Sequence, residues 1–143
     1  MKIAKRFRWE GAHRLPWHDG PCRDLHGHSY EMFVEVEGEP DENGLLMDFK
    51  HLKRALMPLI EKWDHATLIA NNDNQLLDIM RKAEWRHAVL PYDTTAENIC
   101  IFVADYLVES SKDLLEQRNI HTVRVRVSET ETCYAEAERK VNG

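Results

Sequence analysis

From Ser29 to Glu37 the side chains alternate, with Tyr30, Met32, Val34 and Val36 on one side and Glu31, Glu35 and Glu37 on the other. Such alternation marks a half-buried β-strand and decides which residues share a face. Carried backwards, the same parity puts His26 and His28 on the apolar face, because strand side chains repeat with period two. The first segment obeys the rule too: Ile3, Phe7 and Trp9 share a parity with His13. An antiparallel hairpin of the two segments brings the end of the first, His13, beside the start of the second. A lone histidine on an apolar face is usually a core residue with a satisfied ring. Three on matched faces at adjoining strand ends point instead to a metal site. Zinc leads, because three protein nitrogens and one open position describe its catalytic sites; iron and manganese are the alternatives.

A chain of 143 residues suits a single domain, 1–143, with one core. Its net charge of -6 lacks the basic excess of a general nucleic-acid or anionic-membrane binder. A small anionic ligand held by a few arginines stays compatible with that balance. The cysteines, Cys22, Cys100 and Cys133, are odd in number and lack disulfide spacing. No secretory segment precedes Ile3, and no apolar run approaches the ~20 residues of a membrane helix. A reducing cytoplasm is the expected setting.

The order of elements follows from breakers and periodicity. Strand one covers Lys2 to Ala12, and Pro16, Gly20 and Pro21 make His13 to Leu25 an irregular loop carrying Cys22 towards the metal. After the turn Gly38 to Gly44, a short strand is expected at Leu45 to Met47. Asp48 caps a helix whose apolar stripe is Phe49, Leu52, Leu56, Leu59, Ile60 and Trp63, with Pro58 expected to kink or divide it. The middle, Ile69 to Tyr92, reads as a turn at Asn71 to Asn74, a short helix from Gln75 to Ala83 and a brief extended piece at His87 to Leu90. Thr94 and Glu97 have the spacing of a capping box, opening a helix with Ile99, Phe102, Val103, Tyr106 and Leu107 inward. A third strand, His121 to Ser128, turns Val123, Val125 and Val127 inward, with Glu129 on the same parity; a fourth covers Cys133 to Glu138 before a frayed tail. The result is an α+β order, β-β-α-α-β-β, with helices on one sheet face and open edges that invite pairing with another subunit.

Some residues bear on chemistry. Cys22 stands four residues before His26. It is either a fourth ligand that closes the site or a free thiol near a cation, acidified enough to act as base or nucleophile; spacing leaves both open. Asp64-His65 falls at a helix end, where a histidine suits the macrodipole and an aspartate does not. The pair is either incidental or an acid orienting an imidazole for proton transfer. Glu97 is accounted for by the capping box. Glu129, inward at a strand end, needs either an internal arginine or a ligand with a planar N–H/NH2 edge.

Ala12-His13-Arg14-Leu15, Cys22-x-x-x-His26-Gly27-His28, Asp64-His65, Thr95-Ala96-Glu97-Asn98 and Ser128-Glu129-Thr130 together resemble the 6-pyruvoyltetrahydropterin synthase / 6-carboxytetrahydropterin synthase family over nearly the whole chain. The resemblance implies a tunnelling fold (T-fold) whose trimers close a barrel and stack as a homohexamer. It implies zinc ligands His13, His26 and His28, and a catalytic Cys22. It also implies a catalytic pair Asp64 and His65 that works with a cysteine from a neighbouring subunit. Glu129 matches the glutamate that anchors the pterin, and Thr95 and Glu97 match pocket positions. The short Cys-x-x-x-His-Gly-His spacing looks like the bacterial 6-carboxytetrahydropterin synthases of queuosine (7-deazaguanine) biosynthesis. Ile69 and its neighbours depart from the Leu-Asn that commonly follows the Asp-His pair, and Asn71 to Tyr92 is longer than in short members.

By that resemblance the substrate is 7,8-dihydroneopterin triphosphate, cleaved to 6-carboxytetrahydropterin, acetaldehyde and triphosphate. Arg14 and Arg23 are candidate neighbours for the triphosphate. Two alternatives stand: a 6-pyruvoyltetrahydropterin synthase acting on the same substrate, and a non-catalytic oligomer with a structural zinc bound by Cys22 and the three histidines.

Overall fold

The computed structural model describes residues 1–142. In chain order its elements are β1 (Lys2–His13), β2 (His26–Gly38), α1 (Phe49–Trp63), β3 (Ala66–Ala70), α2 (Asn74–Ala83), β4 (His87–Leu90), α3 (Ala96–Ser110), α4 (Lys112–Gln117), β5 (Ile120–Thr130) and β6 (Cys133–Lys140). A single 3-10 turn, Pro21–Arg23, interrupts the loop between β1 and β2. One sheet runs in the order β4-β3-β1-β2-β5-β6. Its middle is the expected pair of antiparallel hairpins, joined through β2 and β5, while β3 and β4 extend the β1 side in parallel. No helix among the described residues is long and apolar enough to cross a membrane.

The inward parity of the hairpins is the core. Phe7 and Trp9 of β1 and Tyr30, Met32, Val34 and Val36 of β2 are buried, as are Val123, Val125 and Val127 of β5. Helix α1 packs Leu52, Leu56, Leu59, Ile60 and Trp63 over β1, and α3 packs Ile99, Val103 and Leu107 over β5 and β6. Each such side chain, fully buried, contributes about 1.5–3 kcal/mol of transfer free energy, which is why one buried stripe per helix suffices to seat it. Trp9 and Tyr30 stack at 4.8 Å, and the tilted Trp63 ring lies 5.5 Å from Trp9.

Several expectations are corrected. Ala66–Ala70 is a strand, and all five of its residues are buried. With both faces covered it shows no alternation, so its sequence carries no strand signal. Leu45 to Met47 forms no strand; its carbonyls at Leu45 and Leu46 accept from Arg118 instead. Helix α1 runs undivided through Pro58, because Pro58 and Arg54 are both exposed and water can satisfy the Arg54 carbonyl that the ring leaves free. Phe49, at the start of the stripe, is exposed. The cap of α3 is Thr95, whose hydroxyl accepts from Asn98 N–H at 3.1 Å, one residue beyond the Thr94–Glu97 spacing. The C-terminal strand runs on to Lys140, and Val141 is buried with its N–H on the His121 carbonyl.

Candidate active site

The hairpin register places His13 opposite His26 and Gly11 opposite His28, so two strand ends deliver three imidazoles to one place. Ring centroids lie 4.6 Å (His13–His26), 4.8 Å (His26–His28) and 5.1 Å (His13–His28) apart. One ring nitrogen from each lies within 4.8 Å of the others. His13 Nδ1 donates to the Thr94 carbonyl at 2.7 Å, and His26 Nδ1 donates to the Asp24 carbonyl at 2.7 Å. A carbonyl can only accept, so in both rings Nδ1 carries the proton, and Nε2 is the nitrogen that offers a lone pair when the ring is neutral. All three Nε2 atoms are buried and without a hydrogen-bond partner. Burial lowers the His13 pKa to about 4, helped by His26 and His28 and opposed by the Thr94 bond. The His28 pKa is lowered as well, first by burial and then by His26. Three converging, buried Nε2 atoms without hydrogen-bond partners fit a metal ion such as zinc.

Cys22 sits half-buried in the Pro21–Arg23 turn and is not among the donors that converge. The loop presenting it is tied down by Leu15 N–H on the Cys22 carbonyl at 2.9 Å. The converging donor set is therefore the three histidine nitrogens without the Cys22 sulfur.

Asp64 and His65 occupy the end of α1. The Asp64 carboxylate accepts the Glu10 N–H at 3.0 Å and meets His65 Nδ1 at 3.0 Å. The Glu10 backbone bond is the main reason the Asp64 carboxyl lies below its ordinary range, with the His65 charge adding to it. His65 N–H in turn bonds the Glu10 carbonyl at 2.6 Å. These bonds tie the pair to β1 just before His13. His65 has φ 58, in the left-handed region that a non-glycine residue rarely adopts, and its ring is exposed.

Glu129 lies on β5 with its carboxylate 3.8 Å from His13 Nε2 and 3.6 Å from His28 Nε2. Burial raises its pKa. No arginine pairs with it among the described residues, so the internal salt bridge is not how it is accommodated. It borders a groove of about 420 Å³ shared with Glu97, Cys133 and Tyr134. It also borders a second groove, of about 360 Å³, with Arg8, Ser29 and Glu31. Glu97 is exposed at the start of α3, free of the capping duty expected of it, while the Thr95 hydroxyl is committed to that cap.

Arg14 is engaged with the middle segment of the chain. It makes two bonds to Asp73, at 2.8 and 2.6 Å, and a third to Gln75. Arg23 is exposed. Sequence reasoning misses Thr94 as the partner of His13, because its spacing to Glu97 reads as a helix cap and His13 lies 81 positions away.

A family model described as 6-pyruvoyl tetrahydropterin synthase matches residues 2–140. The chain belongs to the 6-pyruvoyl tetrahydropterin synthase family. Among curated members, it is 31% identical over 141 residues to the 6-carboxy-5,6,7,8-tetrahydropterin synthase of Haemophilus influenzae, covering 93% of this chain and 96% of that one. It is 31% identical over 156 residues to the enzyme of the same name from Aquifex aeolicus, covering 94% and 96%. Solved members share the fold. The Plasmodium falciparum 6-pyruvoyl tetrahydropterin synthase superposes with TM-score 0.78 at 21% identity, over 98% of both chains. A Plasmodium vivax synthase variant gives TM-score 0.80 at 18% identity, again over 98% of both. This T-fold family membership makes the chain an enzyme of the tetrahydropterin synthase kind.

Proposed function

We propose that this protein is a zinc-dependent 6-carboxy-5,6,7,8-tetrahydropterin synthase. With one water, it would convert 7,8-dihydroneopterin triphosphate to 6-carboxytetrahydropterin, acetaldehyde and triphosphate, a carbon–carbon lyase step of queuosine (7-deazaguanine) biosynthesis. The observation that carries the reading is the set of three buried, partnerless Nε2 atoms with Cys22 outside it. The names of the Haemophilus and Aquifex relatives support the choice of product.

His13, His26 and His28 would hold the metal, and zinc there supplies Lewis acidity towards the oxygens of the substrate side chain. Cys22, on the loop leading into β2, acts as a base on one side of that side chain. His65 moves protons on the other side, oriented through Nδ1 by the ionised Asp64. Glu129 pairs in bidentate fashion with the N–H/NH2 edge of the pterin, which gives its half-buried carboxylate the partner the isolated chain lacks. Glu97 borders the same groove, with Thr95 one turn-start away holding the helix that carries it.

Assembly belongs to the same proposal. The β1 edge from Lys2 to Trp9 and the outer edge of β6 are unpaired among the described residues. On the face away from the helices, Arg6 and Arg8 of β1, Glu31, Glu35 and Glu37 of β2, Arg124 and Arg126 of β5 and Glu136 and Glu138 of β6 form columns of alternating sign. Docking β6 of one copy on β1 of the next continues that alternation. Three copies would close a barrel and two barrels would stack as a hexamer, bringing a neighbour's cysteine to the Asp64–His65 pair.

The test is product analysis by mass spectrometry after incubation of the zinc-loaded protein with 7,8-dihydroneopterin triphosphate. Acetaldehyde and 6-carboxytetrahydropterin are expected. A retained three-carbon side chain would make it a 6-pyruvoyltetrahydropterin synthase, and no turnover of any kind would leave only a zinc-binding oligomer.

A further inference from the structure

The peptide unit that joins Asp64 to His65 is gripped at both ends. Its N–H, from His65, bonds the Glu10 carbonyl of β1 at 2.6 Å. Its carbonyl, from Asp64, accepts from Arg86 Nη2 at 3.0 Å. The same guanidinium nitrogen also meets the carbonyls of Glu61 at 2.9 Å and Lys62 at 3.3 Å. Arg86 lies in the connection between α2 and β4, within the segment from Asn71 to Tyr92. Its own carbonyl accepts Thr67 N–H at 3.2 Å, so its backbone is anchored to the strand that leaves His65.

From this geometry we infer that Arg86 is a positioning residue for the Asp64–His65 pair, acting through the peptide between them. The inference rests on the proton-transfer role proposed above for that pair. An arginine at a helix C-terminus has an ordinary explanation, since the last carbonyls lack intrahelical partners and the dipole favours a cation there. Glu61 and Lys62 fit that explanation. Asp64 adds something the cap does not need, because its carbonyl orientation sets the plane from which His65 departs at φ 58. A left-handed histidine persists only where its surroundings over-determine it. Here Glu10 holds one end of the plane and Arg86 the other, and the ring is left with Nδ1 on the Asp64 carboxylate. The cation also adds to the pull that keeps Asp64 ionised.

The experiment compares Arg86→Ala, Arg86→Met and Arg86→Lys in the zinc-loaded protein by steady-state kinetics and by amide hydrogen exchange at His65. Arg86→Ala is expected to lower kcat roughly three- to thirtyfold, the scale of a sub-ångström misplacement of a reacting group, with KM and bound zinc nearly unchanged. His65 N–H is expected to exchange at least roughly tenfold faster, as local opening becomes easier. Arg86→Lys should recover much of both, because every bond in the clamp uses one terminal nitrogen. If Arg86→Ala does not fold, Arg86→Met, which keeps the apolar stem and removes every donor, supplies the same comparison. Wild-type kcat together with unchanged His65 exchange would overturn the inference. Full turnover in His65→Ala would overturn the catalytic reading instead, while the exchange measurement would still judge the clamp.

Discussion

His13 donates its Nδ1 proton to the main-chain carbonyl of Thr94, 2.7 Å away and 81 positions along the chain. That bond points Nε2 towards His26 and His28, in a setting that also governs acid stability. The His13 pKa is lowered from 6.5 to about 4 in the folded chain, chiefly by burial. The unfolded chain therefore binds the proton first, and stability falls as pH drops from 6.5 towards 4, levelling off below that. The loss is at most about 3–4 kcal/mol, since each tenfold difference in proton affinity between folded and unfolded chain is worth about 1.4 kcal/mol. Melting curves of the metal-free protein should show this decline, and His13→Gln should flatten it. A melting temperature unmoved across that window would contradict the account of His13.

Cys22 lies near the three histidines in sequence but outside their converging donors in space. Cys22→Ala should therefore keep bound zinc near one ion per chain while abolishing turnover. His28→Ala should lose metal, since two nitrogens remain to hold it. Metal content by elemental analysis, read beside product formation, separates the two effects. Loss of zinc and folding together in Cys22→Ala would favour a closed structural site.

Asp73 caps α2 by accepting from Leu76 N–H at 3.3 Å and holds Arg14 through both oxygens, so one side chain fastens the middle segment to the residue after His13. Its carboxyl lies below the ordinary range, with Arg14 as the main cause. Asp73→Ala loses cap and ion pair at once and should cost about 2–3 kcal/mol in denaturant unfolding. Asp73→Asn keeps the cap and should cost about half as much. Equal costs for the two variants would assign the whole effect to the ion pair.

How much of this is readable from residues alone depends on whether one face or two are buried. The β2 alternation is unambiguous because its outward side chains remain partly exposed, and the histidine trio follows from that parity. Ala66–Ala70 is invisible to pattern because every side chain in it is covered. The Thr-x-x-Glu spacing favours Thr94 as the cap of α3; only His13, far away in sequence, shows that Thr94 serves the ring while Thr95 caps the helix. The pairing of Arg14 with Asp73, 59 positions distant, leaves no trace in the local pattern. Local pattern decides elements, whereas a polar side chain's partner is a tertiary fact.

The alternating charge columns make the proposed barrel testable without reference to catalysis. In one chain Arg124 already bridges Glu35 of β2 at 2.8 Å and Glu138 of β6 at 2.7 Å, so acid, base and acid stand in a row across three strands. Glu136 and Glu138 then face outwards along an open edge, while Arg6 and Arg8 stand exposed near the open edge of β1. Reversing Glu136→Arg and Glu138→Arg together should set like charges against each other at the β6–β1 contact and shift the protein towards monomer. Adding Arg6→Glu and Arg8→Glu should restore association, because the β6–β1 contact then again sets base against acid. Sedimentation velocity at low and high salt would follow both steps, the repulsion weakening as salt rises. An unchanged sedimentation coefficient for the acid-to-base pair would mean that copies meet through some other surface.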